Sequence, residues 1–166
     1  MYNFSVFKRL PRFNEDSYVH FVTSKTHENI PFFSDDPCCE ILLADIRFYQ
    51  DRLGFVTVAW VIMPDHFHAL FWWDRDENPR LDISTVMQRI KSHSSKEIYR
   101  QLRALDRFPH VGTKVWQDRF YDFVIWDQRK TEEKIAYIHM NPVRKGLVEL
   151  PEDYRWSSYR EFLERE

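Results

Sequence analysis

The stretch WVIMPDHFHALFW, residues 60–72, decides how the rest of the chain is read. Val56, Val58 and Trp60 to Met63 form a β-rich run that halts at Met63-Pro64-Asp65, where proline and aspartate suit a tight turn. The run after the turn is again strand-like. Side chains alternate across a strand, so His66 and His68 point to one side and Phe67 to the other. The expected unit is a hairpin, roughly 55–64 and 66–73, whose second strand opens on a histidine pair. Such a pair suits two polar residues on a half-exposed sheet as well as a metal site, so its meaning depends on a partner elsewhere.

The chain has 166 residues, 43% of them hydrophobic and 17% aromatic, which fits one folded domain with a proper core. With only 3 glycines there is no glycine-rich phosphate loop or dinucleotide fingerprint. No apolar run reaches the length of a membrane span, and the start of the sequence lacks a signal-peptide core. The two cysteines, Cys38 and Cys39, are adjacent in a helical stretch and offer neither a disulfide framework nor zinc spacing. A cytoplasmic protein is expected. The net charge of −2 hides an asymmetry: 13 Lys/Arg face 7 Asp/Glu between Arg89 and Lys145. A basic half in a mildly acidic chain suits a localised polyanion surface, and equally an ordinary solvated helix face.

Residues 1–16 read as an N-terminal extension. Tyr18 to Ser24 reads as a strand. Ser34 is placed to cap a first helix, with Asp35 and Asp36 in its first turn and Ile41, Leu42, Asp45, Ile46, Tyr49 and Leu53 on its stripe, ending at Gly54. After a charged loop at 74–80, Ser84 is placed to cap a second helix running to about Leu105. Its apolar stripe is Val86, Ile90, Ile98 and Leu102, and Arg89, Lys91 and Lys96 lie on its basic face. Pro109 and Gly112 break the chain, and a fourth strand follows with Phe123, Val124 and Ile125 as its core. A third helix spans about Gln128 to Asn141, stopping before Pro142, and 142–166 is left as a tail.

This order gives an α+β fold: a ferredoxin-like βαββαβ antiparallel sheet in a core of about 17–141, with an additional C-terminal helix. Two helices cover one face of the sheet, and the last helix is free to cross the other. On that helix Tyr137 shares a flank with Lys134 and Asn141, while His139 points roughly 160° away from Tyr137. A flank tyrosine is also a common packing residue, and Asn before Pro a common helix end.

The ordered set WVIMPDHFHALF, WQDRFYDFVIWD, YIHMNPVRKGLV and PEDYRWSSY resembles the single-tyrosine HUH transposases, and within them the REP-associated tyrosine transposases. HUH denotes histidine, hydrophobic residue, histidine, here His66-Phe67-His68. The resemblance runs from about Tyr18 to Tyr159. It implies that the tyrosine-bearing helix of the ferredoxin-like fold carries the nucleophile, Tyr137. His66 and His68 are then ligands of a divalent metal, Mg2+ or Mn2+. A polar residue four positions after the tyrosine, often Gln in related transposases, completes the site; here it is Asn141, one methylene shorter. The implied reaction is cleavage and rejoining of single-stranded hairpin DNA through a 5′-phosphotyrosine, by a monomer or a homodimer. Phenol ordinarily ionises near pH 10, and Lys134, one turn away, is a candidate to favour its ionised form. DNA contacts are expected from Arg89, Lys91, Lys96, Lys114, Arg119, Arg129, Lys130 and Lys134, and base stacking from such aromatics as Trp116, Tyr121 and Trp126. Two other readings stay open: a non-catalytic nucleic-acid-binding module, and a metal-dependent phosphodiesterase that activates water.

Overall fold

The computed structural model describes residues 18–106 and 114–164. The expected N-terminal extension and the break at Pro109 and Gly112 lie outside these residues. Four strands, β1 (Val19–Lys25), β2 (Val56–Met63), β3 (His66–Trp72) and β4 (Tyr121–Ile125), form one sheet in the order β2-β3-β1-β4. Every neighbouring pair is antiparallel. This is the ferredoxin-like order expected from the alternation of patterns along the chain.

The hairpin pairs Met63 with His66, so its loop is Pro64-Asp65 alone. Neither loop residue takes a positive φ. Proline fixes a negative φ, so the mirror-image turns usual in two-residue hairpins are closed to this sequence. The tip is held from outside instead. The Asp65 carbonyl accepts from the Thr26 backbone N–H at 2.8 Å, and the Pro64 carbonyl from that of Phe33 at 3.0 Å. An irregularity between Thr57 and Ala59 shifts the register of β2. Beyond it Trp60 and Ile62 face one side of the sheet, and Ala59, Val61 and Met63 the other.

Helices α1 (Asp36–Leu53) and α2 (Ile83–Ala104) pack together on the Trp60 side, burying Leu42, Ile46, Val86, Ile90, Ile98 and Leu102 against Phe67, Ala69 and Phe71. Their starts differ from expectation. Ser34 closes a short 3-10 turn, and α1 begins one residue after Asp35, which makes no side-chain cap bond. For α2 the cap is Asp82, not Ser84: its carboxylate accepts the Thr85 N–H at 2.7 Å. The end of α1 is as expected, with Gly54 left-handed at φ 75°.

Helix α3 (Gln128–Arg144) crosses the opposite face, seating Ile135 and Ile138 on Val61, Leu70 and Phe21. It does not stop before Pro142. Proline removes one N–H bond, but its ring is accommodated, and the helix runs on to Arg144 with Pro142 buried inside it. The actual stop is Gly146 at φ 70°. Its N–H reaches the Val143 carbonyl at 2.9 Å, and the Leu147 N–H reaches that of Pro142 at 2.9 Å. This pair of bonds is a Schellman motif.

The segment after α3 is part of the domain. The Trp156 carbonyl accepts the Ile62 N–H at 2.8 Å, and the Ser158 N–H donates to the Trp60 carbonyl at 3.0 Å, closing the β2 edge before the short α4 (Tyr159–Leu163). On β4 only Ile125 is core. Phe123 is 38% exposed, because α3 covers the sheet near Ile125 and leaves the other end of this edge strand open.

Candidate active site

The strand alternation does what the sequence requires. His66 and His68 share the α3 face, their rings 4.8 Å apart, while Phe67 is buried on the other side. Each imidazole is held by its Nδ1. His66 donates to the Asp65 carboxylate at 2.6 Å, and the His68 Nδ1 pairs with the Thr23 hydroxyl at 2.7 Å. Engaging Nδ1 on both rings leaves both Nε2 atoms as the groups on offer, the arrangement by which outer partners orient metal-binding histidines. Burial pushes the pKa of His68 down to about 3, and the neighbouring His66, Lys134, Lys25 and Lys145 add to the effect. The ring is therefore neutral near pH 7, the form able to ligate a cation.

Across from the pair, α3 brings Tyr137 over the sheet. Its ring lies 5.5 Å from that of His68 and 5.9 Å from that of Phe21. Tyr137 thus meets His68 of its own chain. Asn141, one turn on, is 4% exposed, and its side-chain oxygen is buried with no hydrogen-bond partner among the described residues. A buried, unsatisfied amide oxygen is costly, and as a hard oxygen donor it fits a divalent cation. His139 faces away from the pair, as its helix position requires. Its Nε2 pairs with the Ser158 hydroxyl at 2.8 Å, between the rings of Tyr159 and Phe162.

Among the described residues no group of three or more His, Cys, Asp or Glu side chains is arranged to hold a metal ion. A cation at the histidine pair would therefore take its remaining donors from Asn141, from water or from a substrate.

The basic residues divide into four groups. Lys134 stands at the site, its ammonium 5.3 Å from the Tyr137 ring centroid and 4.7 Å from that of Phe21. Arg129 and Lys130 are at the far end of the same helix, with Lys130 bonded to Glu133 at 2.8 Å. Arg89, Lys91 and Lys96 are on α2, behind the sheet. Arg89 and Lys96 border a cavity of about 280 Å³ with Tyr49 and His93. Lys91 donates to the Gln117 carbonyl at 2.6 Å and is held to the 117–119 loop. Lys114 pairs with Asp118 at 3.1 Å, and Arg119 is exposed nearby. Trp116 is core, at 4% exposure.

Three cations near the site escape a reading of the sequence by itself. Lys25 stands opposite His66 in the β1–β3 register. The Arg144 guanidinium lies 5.4 Å from the Tyr137 ring centroid, and Lys145 acts on His68. Strand alternation from Phe21 through Thr23 would have found Lys25. Arg144 and Lys145 become visible only once α3 is known to pass Pro142.

A split βαβ sheet with a histidine pair on one central strand, faced by a tyrosine on a crossing helix, defines the tyrosine transposase fold. Residues 14–141 match the model of the family described as Transposase IS200 like, and the chain belongs to that family. It is 30% identical over 117 residues to a protein of Haemophilus influenzae named as a REP-associated tyrosine transposase. That match covers 70% of this chain and 65% of the relative. A REP-associated tyrosine transposase of Escherichia coli K12 is 29% identical over 124 residues, 74% of this chain and 64% of the relative. The chain thus aligns with slightly less than two thirds of each of these proteins. Among solved structures, a REP-associated tyrosine transposase bound to a REP hairpin superposes with a TM-score of 0.67 at 19% identity, over 92% of this chain and 82% of that one. A Deinococcus radiodurans protein described as a transposase gives 0.56 at 18% identity, over 78% and 95%. These two likenesses are of fold.

Proposed function

We propose that the chain cleaves and rejoins single-stranded hairpin DNA of the REP type, with Tyr137 as nucleophile and a divalent cation, Mg2+ or Mn2+, held by His66, His68 and Asn141. One observation supports this reading: Tyr137 meets His68, the inner member of a histidine pair whose Nδ1 atoms are both engaged, with an unpartnered amide oxygen one helical turn away. When bound, the cation supplies charge that polarises the scissile phosphate. Two imidazoles by themselves would suit zinc as well; the amide oxygen, with water and phosphate oxygens filling the other positions, favours the harder ions.

The Tyr137 oxygen attacks phosphorus as the bond from phosphorus to the 3′ oxygen breaks. The phenol proton passes to solvent, and the departing 3′ oxygen takes one up. The products are a 5′-phosphotyrosine and a free 3′-hydroxyl. Attack by a 3′-hydroxyl on the phosphotyrosine reverses the exchange and joins strands, one phosphodiester replacing another, so no nucleotide cofactor is needed. Lys134, Arg144, Lys145 and Lys25 surround this position and take the flanking phosphates. Arg129 and Arg119 lie further out and are the cations proposed to meet a hairpin stem, whereas Arg89 and Lys96, on the α2 side behind the sheet, face away from the site and add less. Lys91, Lys114 and Lys130 already have protein partners and add less. An enzyme acting on such DNA works where chromosomal DNA lies, and the cytoplasm is the compartment that goes with this reading.

The test is a denaturing gel of labelled hairpin DNA with single-stranded flanks, incubated with Mg2+ or Mn2+. Wild type gives a slow-migrating covalent species that Tyr137→Phe abolishes. Cleavage surviving in Tyr137→Phe would replace this reading with hydrolysis by activated water. Binding without cleavage by wild type would leave a non-catalytic module.

A further inference from the structure

Resting on the reading of Tyr137 as the attacking group, we infer that Tyr121 and Phe123 form a stacking platform for unpaired nucleobases next to the scissile phosphate. Both belong to the edge strand β4 and both point to the α3 face, where they are 56% and 38% exposed. Exposed aromatics on a sheet edge invite unwanted association, which edge strands usually avoid with charge or proline. Here the one charge between them is turned away: Asp122 points through to the other face, accepting from His20 Nδ1 at 3.0 Å. The platform therefore carries no acid to repel a phosphate backbone.

The two rings are tied to the site by a shared neighbour. Phe21 stands opposite Phe123 in the register and meets the Tyr121 ring edge-on at 6.4 Å. The same Phe21 ring contacts Tyr137 and stacks on His68 at 5.4 Å. Tyr121 is paired with Thr23, the residue that holds His68. A base lying on Tyr121 or Phe123 is thus one ring removed from the attacking phenol. Charge complementarity names the occupant. The Lys134 ammonium sits 5.7 Å from the Phe123 ring centroid and also over Tyr137, placing a cation for the phosphate that links a stacked base to the reacting one. Aromatic faces beside a cation track are what single-stranded DNA requires, and stacking tolerates any base. A paired base has its faces covered and cannot use the platform, so the site selects an unpaired flank over a duplex.

The experiment compares binding of oligo-dT with that of a base-free abasic strand of equal length, using the full chain with EDTA to prevent cleavage. Wild type is expected to prefer oligo-dT. Phe123→Ala and Tyr121→Ala are expected to cut that preference by about five- to a hundredfold while leaving the affinity for the abasic strand unchanged. Phe123→Trp should keep the preference. Alanine variants that keep it, or that lose affinity for both strands equally, would overturn the inference. So would a wild-type dimer that Phe123→Ala turns into a monomer without touching the oligo-dT preference, which would make β4 an interface between copies. Failure of the parent reading looks different: the preference would be present and follow Phe123, but no Tyr137 adduct would form on any hairpin.

Discussion

Asp65 and Thr23 never need to touch DNA, yet they decide which nitrogen each histidine presents. Replacing Asp65 by Asn removes the carboxylate that accepts from His66 Nδ1 at 2.6 Å. Divalent-ion affinity measured by calorimetry should fall about 10–100-fold, with little change in unfolding midpoint. Asn141 should behave in the opposite sense. Its unpartnered buried oxygen is a cost to the metal-free fold, so Asn141→Leu should leave the metal-free protein as stable or more stable while weakening ion binding. Equal ion affinity in that variant would remove Asn141 from the ligand set. At this scale the sequence was legible where a residue acts through period. That His66 and His68 share a face, and that Tyr137 and Asn141 share a helix flank, follows from strand and helix repeats, while the roles given to them rest on the family resemblance. Asp65 looked like turn chemistry only, because its second role depends on where the neighbouring imidazole turns.

Helix α3 carries the phenol, the amide and two of the cations around them, so its length matters more than that of any other element. The sequence rule that a helix ends before proline misplaced its stop, since the rule weighs one lost hydrogen bond and not the burial of Pro142 or the left-handed glycine waiting at position 146. Gly146→Ala should cost about 1 kcal/mol in urea unfolding, from backbone strain alone, because no atom lies within 4 Å of the added carbon. The same substitution should slow strand cleavage beyond what its stability loss explains, since Arg144 and Lys145 belong to the turn it loosens. Helix starts were misjudged for a related reason. Ser34 and Ser84 are good caps in isolation, but Asp35 and Asp82 are the residues at the helix entries. The β4 core was overestimated because hydrophobic residues on an edge strand read like those on a central one.

At the scale of the whole molecule, burial holds the pKa of two histidines among the described residues well below its ordinary value. Burial lowers the pKa of both His68 and His139 to about 3, below the ordinary value of 6.5. An unfolded chain binds a proton on each as pH drops through 6.5, and the folded chain does not. Stability is therefore full above about pH 6.5 and declines as pH falls towards 3. Between pH 7 and pH 5 each histidine should cost the metal-free protein about 2 kcal/mol, read from urea midpoints at the two pH values. His139→Gln should show a shallower decline than wild type. The topology and the site face were legible from the pattern of elements; the closing of the β2 edge by residues 156–158 was not, since nothing in WSS reads as strand. That closure has a consequence in time. The Ser158 hydroxyl receives the Trp60 N–H at 2.9 Å and also pairs with His139 on the back of α3. During synthesis Tyr137 leaves the ribosome before the residues that clamp its helix against the sheet. The contact that ties the back of α3 to the β2 edge through Ser158 is therefore among the last of the described contacts that a growing chain can make.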